Sequence, residues 1–290
     1  MKKISKKPKR TKTKKSKSTI PNVVKGIQDV EDLEENHVAL FYGKSGRGKT
    51  ETAASFPKPL LFLDINNEKG LKTVKNRPGV RVAKIGEWDD FIDLYWWLRD
   101  GQDYKTIVLD QITGLQDLCM REVRVKLRMS PDEPFQGFKR WGRLSGDMKT
   151  WLQSYRELSD IYNVVYIAHE RAFGGEDETE DDEMDPAVGA RLIPSLGSFV
   201  DGACDIIGHS FIRSIKVKDP ETKKTGKKTE YCMRVGPHPI YVTKIRRPSE
   251  LGPLPEYIVD PTYSKLVDLE QGKEIKSTQP KRKKRRKVNG

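Results

Sequence analysis

Cysteine is scarce in this 290-residue chain. There are three, Cys119, Cys204 and Cys232, odd in number, widely spaced and without a C-x-x-C pair. That spacing builds no disulfide framework, so reduced thiols in a cytosol-like compartment are expected. Long apolar runs are missing too. The longest clean ones, such as 38–42 and 164–168, are strand-sized and far short of the ~20 residues a membrane span needs, so no membrane partner is expected. The basic N-terminal stretch lacks the apolar centre of a secretory leader. A zinc module's spacing is absent as well: Cys204, His209, Cys232 and His238 offer four donors, but they read as ordinary strand and loop residues. Acid is missing from both ends. Residues 1–18 hold ten Lys/Arg and no Asp or Glu, and residues 281–287 are seven Lys/Arg. Setting those 17 aside leaves 38 basic against 42 acidic residues, so the net charge of +13 belongs to the ends and the middle stands near −4. Like charges repel and bury nothing. Residues 1–20 and 273–290 are therefore expected to be disordered basic tails around one folded domain over 21–272.

What is present centres on Gly43-Lys44-Ser45-Gly46-Arg47-Gly48-Lys49-Thr50, a G-x-x-x-x-G-K-[ST] match. The apolar run 37–42 precedes it and a helix start at Glu51 follows, the strand–loop–helix context of a phosphate-binding loop. Gly43, Gly46 and Gly48 let the backbone curl so that successive N–H groups form an anion nest. The helix N-terminus adds partial positive charge. In such a loop Lys49 can reach the β- and γ-phosphates of ATP, and the Thr50 hydroxyl can ligate Mg²⁺.

Further along, 60–64 reads as a second buried strand, with Pro57 and Pro59 stopping the helix before it. Residues 80–85 alternate like a more exposed strand. Trp88, Phe91, Ile92, Tyr95 and Trp96 recur at helical spacing and predict an amphipathic helix over 88–99, its aromatics packing on a sheet rather than stacking on bases. A strand at 106–110 ends in Asp110, and a helix is expected over 112–128. Trp141, Leu144, Met148, Trp151, Tyr155, Leu158 and Tyr162 step by three and four, predicting one long helix whose seam packs across the sheet or, alternatively, meets another subunit. A fourth buried strand, 164–168, runs into His169-Glu170-Arg171. The acid-rich run 176–185 reads as a loop. A hairpin is expected between 211–217 and 229–235 with its tip at 223–228, then a last strand at 241–247 and an irregular, proline-punctuated segment over 248–272. This order of strands and helices predicts an α/β fold: a mostly parallel sheet flanked by helices, with antiparallel strands and a hairpin added late.

Phosphate binding alone hydrolyses nothing; an acid must organise Mg²⁺ and a further group must orient water. Asp110, closing an apolar strand well downstream of the loop, has the signature of the metal-organising acid. Asp64, Asn66 and Glu68 all follow the second strand, and the carboxyl ends of parallel strands face the ligand crevice. Glu68, the only glutamate of the three, is the candidate for orienting water. His169 also stands at a strand's carboxyl end, where it can hydrogen-bond the γ-phosphate and relay its loss to the loop beyond; a purely structural role is the alternative.

The order HVALFYGKSGRGKTETAASFPKPLLFLD, a tryptophan-led helix, TIVLDQIT, NVVYIAHE, a hairpin and TKIRRP resembles the RecA-like phage ATPases, the nucleotide-binding proteins associated with single-strand annealing and recombination. The resemblance runs from about residue 37 to 255. It implies a RecA-type ATPase core acting on single-stranded DNA, with a homo-oligomer and single-strand-binding or other recombination proteins as candidate partners; the alternatives are a nucleotide-regulated annealing protein with little hydrolysis and a small-molecule kinase of the same superfamily, against which the basic tails count. It implies Lys49 and Thr50 at phosphates and metal, Asp110 as Walker-B acid, and His169 as a γ-phosphate sensor. It also implies a DNA-contacting loop after His169, and Lys244, Arg246 or Arg247 as cations reaching a neighbouring subunit's nucleotide. Where that family carries a glutamate two residues after the second strand's aspartate, this chain has Asn66. The acids of 176–185 would repel DNA, so either DNA binds elsewhere or this run folds back on a basic tail until DNA displaces it. The basic ends read as nucleic-acid contacts or as solubilising tails. Residues 280–288 also match a short nuclear import signal, which sets a nuclear location beside the cytoplasmic one of a host cell.

Overall fold

The computed structural model describes residues 36–66, 70–130, 132–173, 187–218 and 225–275. The expectations for residues 1–20 and 276–290, for Glu68 and for the acidic run 176–185 lie outside them.

Four apolar runs make the centre of the sheet: β1 (Val38–Tyr42), β2 (Leu60–Ile65), β4 (Thr106–Asp110) and β5 (Asn163–Ala168). Except at Asp110 every one of their residues is buried, as strands covered on both faces require. Alternation divides them between two cores. Leu40, Tyr42, Leu61, Leu63, Ile107, Leu109, Val164 and Tyr166 face one. Ala39, Phe41, Leu60, Phe62, Val108, Val165 and Ile167 face the other. With the edge strand β3 (Val80–Ile85) and the first part of β8 (Ile206–Lys218) they form six parallel strands in the order β3-β2-β4-β5-β1-β8. Beyond β8 the sheet turns antiparallel, through β9 (Thr225–Arg234) and β11 (Tyr257–Val259). The α/β class with a late hairpin is thus the observed one.

The first core is roofed by α2 (Trp88–Arg99), α3 (Ile112–Lys126), α4 (Phe138–Glu157) and α5 (Pro194–Ala203). The start of α2 is set by a reciprocal capping box between Glu87 and Asp90. Its Trp88, Phe91, Tyr95 and Leu98 point inward, while Trp96 stands 51% exposed. The seam of α4 packs inside this chain, with Tyr155 stacked on Phe91 at 4.3 Å between centroids. Helix α4 stops at Glu157, so buried Tyr162 belongs to the approach to β5 and not to the helix. The second core is covered by α1 (Lys49–Ala53) and α6 (Tyr263–Glu270).

Several expectations need correction. The last strand, expected over 241–247, is only β10 (Lys244–Ile245), paired with Ile207 and Ile206. From His209 onward the same edge of β8 is taken by β9, so β10 cannot extend further along it. Lys227 and Lys228 sit within β9, opposite Lys216 and Ile215, and not in a hairpin tip. The segment 248–272 holds β11 and α6, the latter started by the Thr262 hydroxyl accepting from the Lys265 N–H. Helix α5 and the ribbon of β6 (Glu170–Phe173) with β7 (Ala187–Ala190) were not anticipated.

Candidate functional site

The carboxyl ends of β1, β4 and β5 meet along one edge of the sheet. Register places Tyr42 beside Ala168, and Asp110 beside Ile167 and Asp64. From Tyr42 the chain enters the glycine loop with positive φ at Gly43, Gly46 and Gly48 (148°, 70° and 85°). At Gly43 the backbone passes so near β8 that a Cβ would lie 2.3 Å from the Ser210 carbonyl oxygen. Lys49 is buried, and its ammonium donates to the carbonyls of Gly43 and Lys44 at 2.8 and 2.9 Å. The loop thus holds a fixed cation at its centre. Thr50 donates its hydroxyl to Asp110 Oδ2 at 3.0 Å, so two side-chain oxygens 60 positions apart in sequence stand together. Helix α1 is shorter than expected: it ends at Ala53, ahead of Pro57 and Pro59. So short a helix adds little dipole, which leaves the electrostatics of the loop to its N–H groups and Lys49.

These residues line a cleft of about 860 Å³. Ser45 to Thr52 and Ser55 form its floor, Asp110, Gln111, Ile167 and His169 its inner wall, and Thr73 and Arg77 one side. Its remaining wall is Tyr231 from β9 and the turn Asp260-Pro261-Thr262. His169 is brought in as expected. Its Nε2 lies 2.8 Å from the Gln111 side-chain amide, so the imidazole and the amide are hydrogen-bonded. The His169 backbone N–H donates to Thr113 Oγ1 at 3.2 Å, anchoring the strand end to α3. Asn66 is turned away: it takes φ 61° and accepts from the Arg121 guanidinium at 3.1 Å.

Sequence reasoning overlooked Gln111, Tyr231 and the 260–262 turn. Only Gln111 carried a local signal, a polar side chain directly after the strand-ending Asp110. A second overlooked group adjoins the loop. Glu170 accepts from His209 Nε2 at 2.9 Å, and Arg234 donates to His209 Nδ1 at 3.0 Å, so His209 is neutral with its proton on Nε2. Burial pulls the His209 pKa down, and Arg234 assists against the opposing pull of Glu170. Arg234 itself lies between the rings of Phe211 and Tyr241, 4.0 and 4.3 Å from their centroids. Tyr42 donates its buried hydroxyl to the carbonyls of Val188 and Val242, each at 2.9 Å, and so ties the end of β1 to the β6–β7 ribbon. The three late cations are held within the chain: Lys244 on the Asp201 carbonyl, Arg246 on Asp205 at 2.8 Å, and Arg247 on the Leu269 carbonyl at 2.7 Å. Cys204 and Cys232 are buried thiols, and among the described residues no group of three or more His, Cys, Asp or Glu side chains is gathered to hold a metal ion. Nor is any helix among them long and apolar enough to cross a membrane.

No curated protein matches this chain. The pattern of one family, described as an AAA domain, matches residues 35–247, which takes in the glycine loop, Asp110, His169 and the β8–β9 hairpin. With that match spanning most of its length and a phosphate loop set in a largely parallel sheet, the chain belongs to the AAA domain family and is a nucleotide-binding P-loop ATPase.

Proposed function

We propose that this chain binds ATP with Mg²⁺ at the Gly43–Thr50 loop, hydrolyses it, and couples that cycle to single-stranded DNA in recombination, annealing or replication of the phage type. The observation that carries the nucleotide part is the 3.0 Å contact between Thr50 and Asp110 beside the buried Lys49 ammonium. A hydroxyl and a carboxylate are hard oxygen donors, and Mg²⁺ is commonly held by one or two such groups, completed by phosphate oxygens and water. The site fits an ion that arrives with its nucleotide and not a metal caged by protein alone. When bound, Mg²⁺ would be held by Thr50 and Asp110 and would offset the charge of the phosphates.

In this reading Lys49 supplies the fixed positive charge at the β- and γ-phosphates, and the glycine N–H groups hold the chain of phosphates. Thr50 and Asp110 hold the metal. His169, on the inner wall, senses the γ-phosphate and passes its presence to Glu170 and the ribbon that follows. Glu68 orients the attacking water. The DNA part rests on the resemblance to phage ATPases and on the Lys/Arg blocks at residues 1–18 and 281–287. Those blocks contribute sequence-independent phosphate contacts, each adding about 0.7 to the salt slope on single strands. The same resemblance supports a homo-oligomer and recombination proteins as partners.

A second reading is favoured by Asn66, which stands where the related ATPases carry a glutamate and is committed to Arg121. In it, nucleotide regulates DNA binding and annealing with little turnover. Steady-state ATP hydrolysis with Mg²⁺, with and without single-stranded DNA, separates the two for wild type, Lys49→Ala and Glu68→Gln. DNA-stimulated turnover that both substitutions abolish is the expected result. DNA binding with wild-type turnover no faster than Lys49→Ala establishes the second reading, and failure of the wild type to bind ATP refutes both.

A further inference from the structure

The phosphate loop accounts for only part of the cleft. Besides the loop, the cleft is lined by Glu51 and Ser55 and by a wall made from the last third of the chain. That wall begins with Tyr231. Alternation along β9 buries its neighbours Glu230 and Cys232 and turns Tyr231 to the other face. Tyr231 as a whole is 47% exposed. It lies over the loop so closely that Cδ1 would stand 3.2 Å from a Cβ placed on Gly48. An aromatic face can approach the backbone that near only because residue 48 carries no side chain.

The rest of the wall is held in place from two directions. The Asp260 N–H donates to the Tyr231 carbonyl at 2.8 Å, and Lys265 donates to the carbonyls of Val259 and Asp260 at 2.7 and 2.8 Å. The Tyr263 N–H donates to Ser55 Oγ at 2.8 Å, which ties the same turn to α1. Asp260 takes φ 47°, and its carboxylate is exposed at the cleft beside Pro261 and Thr262. A half-open aromatic face, a proline ring and an exposed carboxylate are thus fixed at one end of a cleft whose other end is cationic. That is the chemistry of a flat heterocycle with hydrogen-bond donors on its rim, joined to an anion.

We propose that Tyr231 is the stacking platform for the nucleotide's base and that the Asp260–Thr262 turn is the polar edge of the same subsite. The inference rests on the reading that the loop binds a triphosphate, and it assigns recognition of the nucleoside to residues the phosphate motif does not contain.

Calorimetric titration with Mg-ATP and with inorganic tripolyphosphate tests this on wild type, Tyr231→Ala, Tyr231→Phe and Lys49→Ala. Tyr231→Ala is expected to weaken ATP by about ten-fold, the usual worth of one stacked base, while leaving tripolyphosphate affinity at the wild-type value. Tyr231→Phe, which keeps the ring, restores ATP binding. Lys49→Ala weakens both ligands. Unchanged ATP affinity in Tyr231→Ala overturns the proposal. So does a parallel loss of ATP and tripolyphosphate, since the ring would then only shape the loop. A wild type that binds neither ligand, or a Lys49→Ala variant that binds both normally, instead overturns the phosphate-loop reading beneath it.

Discussion

Replacing Gly43 by alanine isolates the place where the sheet and the nucleotide loop constrain each other. The new Cβ would stand 2.3 Å from the Ser210 carbonyl oxygen, where non-bonded carbon and oxygen keep at least 3.0 Å. Both partners are backbone, so no side chain can swing aside: either the loop leaves β1 or β8 shifts, by about 0.7 Å. Overpacking of this kind costs about 1–3 kcal/mol, and the positive φ adds about 1–2 kcal/mol. Together they predict a loss of about 2–5 kcal/mol, or roughly 5–15 °C in melting temperature for a domain of this size. Gly46→Ala is the control. Its φ is also positive, but nothing lies within 4 Å of the added carbon, so only the backbone term of about 1–2 kcal/mol applies. Scanning calorimetry on the two variants without nucleotide, then with Mg-ATP, reads both effects. Gly43→Ala should melt well below Gly46→Ala and lose the stabilisation given by Mg-ATP, because loop displacement near 1 Å can cost about 100-fold in function. Equal melting temperatures would refute the close approach of β1 and β8.

Two further outcomes follow from buried polar contacts. His37 lies 2.7 Å from Glu270; burial pulls its pKa down, but hydrogen bond and charge from Glu270 outweigh that and hold it above 6.5. Its pairing therefore stabilises fully below pH 6.5 and fades as pH rises through the higher native value, a dependence that Glu270→Gln should flatten in urea melts across pH 6–8. Tyr155 donates to the Phe91 carbonyl at 2.8 Å inside the core, so Tyr155→Phe keeps the stacked ring and should lose about 1–2 kcal/mol in urea with an unchanged m-value.

The β6–β7 ribbon gives the loop a physical route to the rest of the sheet. Glu170 follows His169, binds His209 on β8, and stands 3.9 Å from Lys44 of the loop itself. Contacts made at the loop therefore meet both the ribbon and the hairpin through one carboxylate.

Much of this was legible because it is local. The glycines and Lys49–Thr50 lie in one octapeptide, and burial on both faces marks β1, β2, β4 and β5 as near-continuous apolar runs. Helix α2 shows its 3.6-residue period openly, and its predicted bounds of 88–99 are the observed ones. The failures share a cause. Strand β10 is short because β9 occupies the edge it would need, a competition between segments with no local trace. Helix α6 hides behind four prolines, since a helix of eight residues with a Thr262 cap needs its partners in the second core to persist. Helix α5, with two glycines and two serines in ten residues, owes its form to the burial of Leu196, Val200 and Ala203.

The sequence by itself determined that a phosphate loop sits between a strand and a helix, that an acid closes a later strand, and that charge is gathered at the two ends. Those are statements about neighbours along the chain, and backbone chemistry suffices for them. Only the tertiary structure decided that Thr50 meets Asp110, that Asn66 turns to Arg121, and that Tyr231 lies against Gly48. Each of these joins residues 55 to 183 positions apart, and such pairs are set by strand order and register, which no stretch of sequence carries alone.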